Sequence, residues 1–341
     1  MKKFHTLLLV LGVVFLACLV WNIGARELWQ KIAALGWGLF PLIFGEGLAE
    51  MIHTVGWRLC LSEPYRSLPF ILLFRIRMAG YAINYLTPTA ALGGEVTKAA
   101  LLAANHPGPE AASGVLIDKV CFALGHLLFV LAGGIVILWR IKLPWVLWVG
   151  MAASSAFVGS GMMAFLLLQK CGKLGVVIRW LAKRQPPDHL LQRVASYITE
   201  VDEALRVFYR EQPHQLGLAI GWHLLGYSVG IFQTWLFFTL LHQTASFAMA
   251  ACAWFLGMWF DLATFIVPLN LGTLEGSRIV TLKAFGYDAL LGMTYGVTLR
   301  FGQLFWSAFG LLNYGMLALQ PSGLTPDIPA APPRAKSHPA G

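Results

Sequence analysis

Thr87-Pro88-Thr89-Ala90-Ala91-Leu92-Gly93-Gly94-Glu95-Val96-Thr97-Lys98 places a proline, two glycines and two charges inside sequence otherwise suited to lipid. The stretch has an echo. Pro268, Glu275 and Arg278 repeat the spacing of Pro88, Glu95 and Lys98, and in both copies a leucine (Leu102, Leu282) stands fourteen residues after the proline. The flanking apolar segments line up at the same offset of 180 residues, so the repeated unit is a set of helices rather than a short motif.

With 57% hydrophobic residues, 12% charged residues and a mean hydropathy of +0.67, the chain is too apolar for a soluble domain of 341 residues. Its apolar runs are long rather than alternating, which points to helices and not to a membrane β-barrel. The net charge of +9 resides in loops between apolar spans, so anionic lipid is the expected partner and nucleic acid is not. Five cysteines form no CxxC pair, and no metal, cofactor or disulfide framework is indicated.

Outward from the quoted stretch, the apolar runs give the architecture. Residues 4–23 form a first span behind Lys2 and Lys3, with an inside N-terminus, and residues 36–61 a second. The second span carries Glu46, Glu50 and His53 on one helix face, a candidate lining for a polar pathway or a structural polar network. Residues 68–85, interrupted by Arg75 and Arg77, break at Pro88 and resume as a short helix from about Glu95 to Ala104. Half-helices joined by a Pro/Gly break read as a re-entrant hairpin. Spans at 111–139, containing Asp118 and Lys119, and at 144–169 follow.

The segment 170–215 is basic, eight Lys and Arg against five acids, and its periodicity from Asp188 predicts an amphipathic helix at the cytoplasmic surface. Residues 216–319 then repeat 36–139: a span with His223, a broken pair with Asp261, and a final span with Arg300. Residues 321–341 hold six of the seventeen prolines and read as a disordered cytoplasmic tail behind a membrane domain of residues 1–320. Keeping the basic segment inside requires the first hairpin to turn back, which makes the two units antiparallel copies. The expected fold is thus all-α and polytopic, with about six full transmembrane helices and two re-entrant hairpins in an inverted repeat.

Two readings of Glu95–Lys98 and Glu275–Arg278 stay open. Each pair, three residues apart, closes a local ion pair, or the pairs meet a polar substrate, since a charge at mid-membrane costs about 2.5–3.5 kcal/mol on insertion scales. Gly93, Gly94 and Gly272 near the helix starts would let backbone N–H groups approach an anion such as a lipid phosphate. Arg75, Arg77, Lys119 and Arg300 are further candidate phosphate contacts or interfacial anchors. Asp118 and Asp261 are single acids for which an arginine partner or proton coupling is expected, and His126 and His223 read as core histidines. No HExxH, GxSxG or Walker motif is present.

Leu86-Thr87-Pro88-Thr89-Ala90-Ala91-Leu92-Gly93-Gly94-Glu95-Val96-Thr97-Lys98 and Val267-Pro268-Leu269-Asn270-Leu271-Gly272-Thr273-Leu274-Glu275-Gly276 resemble the flippase-like membrane domain family. That family includes the transmembrane part of the lysylphosphatidylglycerol synthetases, the multiple peptide resistance factors. The Leu-Thr-Pro-Thr-Ala and Gly-Gly-Glu wording, with Ile117-Asp118-Lys119, is most similar to the hopanoid-biosynthesis branch, HpnL. The resemblance implies a non-catalytic flippase that moves a hopanoid-linked lipid or an anionic phospholipid between leaflets of the bacterial inner membrane. It places the hairpin motifs on Gly94, Glu95, Gly272 and Glu275. Lys98 stands where the wider family often has arginine, and the soluble aminoacyl-transferase domain has no counterpart before the tail. The alternatives are a membrane-embedded lipid-modifying enzyme using Glu46, Glu50 and His53, or a scaffold for lipid-biosynthesis enzymes.

Overall fold

A computed structural model describes residues 2–87, 93–105, 110–140, 145–170, 207–208, 210–264 and 267–319. Pro88, the basic segment apart from its ends, the amphipathic helix expected from Asp188, and the tail at 321–341 lie outside the described residues. Eleven α-helices account for most of the described chain: α1 (Lys2–Ile23), α2 (Ala25–Ala34), α3 (Leu39–Cys60), α4 (Phe70–Leu86), α5 (Gly93–Asn105), α6 (Glu110–Arg140), α7 (Trp145–Lys170), α8 (Pro213–Leu240), α9 (Phe247–Thr264), α10 (Thr273–Ala284) and α11 (Ala289–Ala318).

Local chemistry explains several of these bounds. Pro213 opens α8, at a position where a missing N–H costs nothing. Asp288 caps α11 by accepting from the Leu291 N–H at 2.7 Å. The break before α10 uses three residues of positive φ in a row of four, Leu269 (φ 57°) and Asn270 (φ 48°) within the 3₁₀ turn Pro268–Asn270 and Gly272 (φ 73°) just after it.

Among the described residues, 110–139 and 213–240 are each long and apolar enough to cross a membrane, and α2 with α3 makes a third candidate bent by 86°. The protein is therefore a multi-pass membrane protein. α4 and α9, with 17 and 18 residues, fall short of the roughly 20 that a span needs. Helix α2 is a short element that hydropathy alone passes over: Leu28 and Ile32, one turn apart, are buried, while Trp29 is exposed.

Helices α3–α6 recur in order as α8–α11. The short helices α5 and α10 begin at Gly93 and Thr273, 180 residues apart. Each short helix folds back along its predecessor. Asn84 meets Gly94, and Ile76 and Leu73 pack with Leu101 and Leu102; likewise Asp261 meets Arg278, and Ala253 packs with Leu282.

Contacts between the units are exchanged. α4 lies against α11, with Arg75 on Asn313 and Tyr85 on Arg300, while α9 lies against α6, with Phe129 near Met258 and Ile137 near Cys252. At the centre α3 packs on α8. Gly38 faces Leu240, the Leu42 carbonyl accepts from Gln233, and His53 meets His223, so these two corresponding helices run antiparallel.

Candidate functional site

The first hairpin brings six ionisable side chains from four helices to one place. Glu50 comes from α3, Arg77 from α4, Glu95 and Lys98 from α5, and Asp118 and Lys119 from α6. Arg77 donates through Nε to Glu50 Oε2 at 2.7 Å and through Nη1 to Asp118 Oδ2 at 3.3 Å. Lys98 Nζ lies 2.5 Å from Glu95 Oε2 and 3.3 Å from Asp118 Oδ2, and Lys119 Nζ lies 3.2 Å from Glu95 Oε1. Glu95, Lys98, Arg77 and Asp118 are buried, whereas the Lys119 side chain keeps 32% of its surface exposed.

Three carboxylates and three cations balance in charge, which lets such a cluster remain ionised away from bulk water. They do not fill their space. A cavity of about 90 Å³, room for several water molecules, is walled by these residues together with Gly80, Tyr81, Asn84 and Phe122. Beneath it the imidazoles of His53 and His223 meet Nδ1 to Nδ1 at 3.0 Å, and His223 Nε2 stands 3.2 Å from Asp118 Oδ1. His223, expected as an ordinary core residue, thus ties α8 to the charge cluster.

The second hairpin is arranged otherwise. Glu275 and Arg278 do not pair with each other, contrary to the local ion pair that their spacing allows. Arg300 of α11 reaches Glu275 in a fork, Nε to Oε1 at 2.6 Å and Nη2 to Oε2 at 3.0 Å. Its remaining N–H groups donate to the carbonyls of Leu269 (2.7 Å) and Asn270 (2.9 Å) and to the Tyr85 hydroxyl (3.1 Å). All five guanidinium donors are used, two of them on carbonyls of the helix break. Arg278 instead makes a fork with Asp261, at 2.6 and 3.1 Å, and lies over the Trp254 ring. Arg300 is consequently committed to holding the break.

Other expected residues sit apart from the cavity. Arg75 donates to Asn313 at 2.6 Å, and Glu46 accepts from the Tyr81 hydroxyl at 2.5 Å. Gly94 does not offer its N–H to an anion, because that group donates to Asn84 Oδ1 at 2.7 Å. What Gly94 supplies is space: a Cβ there would run into the Gly80 carbonyl oxygen and the Asn84 side chain. Asn84 had no signal in the sequence beyond being an amide in an apolar run.

Residues 6–310 match the model of the lysylphosphatidylglycerol synthase transmembrane region, a match that takes in both hairpins and all eleven helices at least in part. The chain belongs to this family. It is also 26% identical over 300 residues to a UPF0104 membrane protein of Methanothermobacter thermautotrophicus, covering 82% of this chain and 85% of that protein. No solved structure matches. In this member of the lysylphosphatidylglycerol synthase transmembrane family, the arrangement has a plain chemical capability. A small, charge-balanced cavity whose rim lysine remains accessible is suited to exchanging one of its internal ion-pair contacts for a contact with a small charged group.

Proposed function

We propose that this protein is a non-catalytic lipid transporter of the flippase type, and that the first hairpin handles the lipid head group. The observation that carries the reading is the cavity between Glu95, Lys98, Asp118 and Lys119, buried charge around a space large enough for water inside a membrane protein. A head-group phosphate would compete with Glu95 for Lys98 and Lys119. The antiparallel packing of α3 on α8 and the exchanged pairs α4–α11 and α6–α9 support two inverted units, the architecture that serves alternating access.

On this reading α1, α3, α6, α7, α8 and α11, with 22 residues or more each, are the six full spans, and α4–α5 and α9–α10 are the re-entrant hairpins. Both termini face the cytoplasm of a bacterial inner membrane. The lipid is an anionic phospholipid or a hopanoid-linked lipid, and both candidates enter the test.

The test is leaflet-resolved lipid analysis in proteoliposomes with labelled members of each class. The intact protein should move one of them, and Glu95→Gln and Lys98→Met should stop the movement in protein that still elutes as a folded species. Movement that persists in both variants, or a chemically modified lipid in place of a relocated one, would overturn the reading.

A further inference from the structure

The two units differ where the short helix meets the helix after it. In the second unit α10 and α11 touch backbone to backbone. A Cβ added at Gly292 would lie 2.6 Å from the Ile279 Cα, and one at Gly296 would lie 2.8 Å from the Glu275 Cα. Shifted by the 180-residue repeat, those two positions of α11 become Ala112 and Leu116 of α6, and their partners become Ala99 and Glu95 of α5. Side chains now stand where the second unit has none. α5 and α6 are held apart, and the gap is a cavity of about 340 Å³.

The walls of this gap are almost wholly apolar and mostly alanine, among them Ala99, Ala100 and Ala103 of α5 and Ala112 of α6. Its one ionisable lining residue is Glu95, which also walls the charged cavity. A polar chamber and an apolar slot therefore share a single side chain as their partition. An apolar gap of this size, lying in a membrane domain, is poorly suited to water, which needs two to four polar partners. It does suit hydrocarbon, which gains contact with both helices.

We infer that the slot between α5 and α6 holds one linear hydrocarbon chain of the lipid whose phosphate-bearing head group enters the Glu95–Lys98 chamber. This rests on the transporter reading for the identity of the occupant. It adds a tail site and makes Glu95 the residue that registers head and tail together. Ala112 and Leu116 are specificity residues in this scheme, because their size sets the separation of the two helices.

The experiment uses the full chain in nanodiscs containing phosphatidylglycerol with a diazirine in one acyl chain, followed by photolysis and peptide mapping. Adducts are expected on residues 96–116, reduced at least fivefold in the Ala112→Gly/Leu116→Gly double variant, which copies the second unit, and in Ala103→Phe, which fills the slot. Lys98→Met should reduce them as well, since the head group loses its anchor. Adducts that ignore Lys98→Met would mean that any bulk chain occupies the slot, and absence of adducts from residues 96–116 would mean that no chain does; either result overturns the proposal. Since the readout is occupancy, it is independent of leaflet transfer. Slot adducts with the expected variant pattern in a protein that moves no lipid would retain the tail site and remove the transporter reading.

Discussion

The two hairpins carry a proline, a glutamate and a basic residue at one spacing, yet they settle into opposite states. In the second, Arg300 saturates itself on Glu275, two break carbonyls and Tyr85, and Gly292 and Gly296 draw α11 onto α10. In the first, Lys98 stands where the second has the fork-forming Arg278, Ala112 and Leu116 keep α6 away from α5, and two cavities lie among the described residues. A lysine is a point charge on a flexible stem, able to trade partners, whereas a guanidinium fixed in a fork is not. On the proposed transporter reading, the difference gives rigidity to one half and exchange to the other.

The sharpest way to break that contrast is Arg300→Ala. It leaves Glu275 buried without its cation and frees the carbonyls of Leu269 and Asn270, so a loss of about 3–5 kcal/mol is expected. Thermal unfolding of the purified protein in detergent reads it. Arg300→Lys should recover only part of the loss, because one ammonium cannot span a carboxylate and two carbonyls. If Arg300→Ala proves milder than a lysine removal in the first hairpin, the second hairpin is not the rigid half.

Lys98→Met is that lysine removal. Its carboxylate partners keep other cations, Lys119 for Glu95 and Arg77 for Asp118, and water in the cavity can solvate the remainder. The stability cost should stay at about 1.5–3 kcal/mol, the range for hydrogen bonds to charged groups, while lipid movement is lost altogether. A variant that loses stability but keeps transport would make the cluster structural.

Much of this was legible in the sequence, and the limit has a physical cause. Hydropathy located the apolar helices, and the Pro-x6-Glu spacing located both breaks, because a broken helix within apolar sequence leaves a composition mark. Partnership left none. Glu275 and Arg278 sit one turn apart just as Glu95 and Lys98 do, and only the approach of α11, 25 residues along, turns Glu275 toward Arg300. Asp261 takes Arg278 by the same long-range logic. His223 looked like any core histidine because its partners, His53 and Asp118, belong to the other unit. Gly94 was read as a phosphate approach, whereas the feature that decides its role is the Gly80 backbone fourteen residues earlier.

Gly94→Ala tests that last correction. The added methyl would force α5 off α4, and overpacking of this kind costs about 1–3 kcal/mol. If the glycine serves packing, Gly94→Ala should lower the unfolding temperature, and Gly93→Ala, at a partly exposed position, should do so less. Equal thermal effects would remove the packing account.

The smallest expected effect separates the two breaks by the polarity of what holds them. The second break has exposed carbonyls held by a donor, Arg300. The first has an N–H, that of Gly94, held by an acceptor, Asn84 Oδ1, and the same side chain reaches Glu95 Oε1 at 3.5 Å. Asn84→Ala leaves that N–H beside a cavity with room for water, which can replace the lost acceptor, so the cost should be about 1 kcal/mol, the net worth of one hydrogen bond. Backbone hydrogen exchange resolves it better than melting does. Exchange should quicken at Gly94 and in the first turn of α5 and stay unchanged across Leu269–Thr273, where Arg300 acts. Asn84→Asp retains an acceptor and should restore protection at Gly94, while adding a fourth carboxylate to a balanced cluster and thereby weakening head-group binding. Protection restored with binding intact would show that charge balance in the chamber does not govern what enters it.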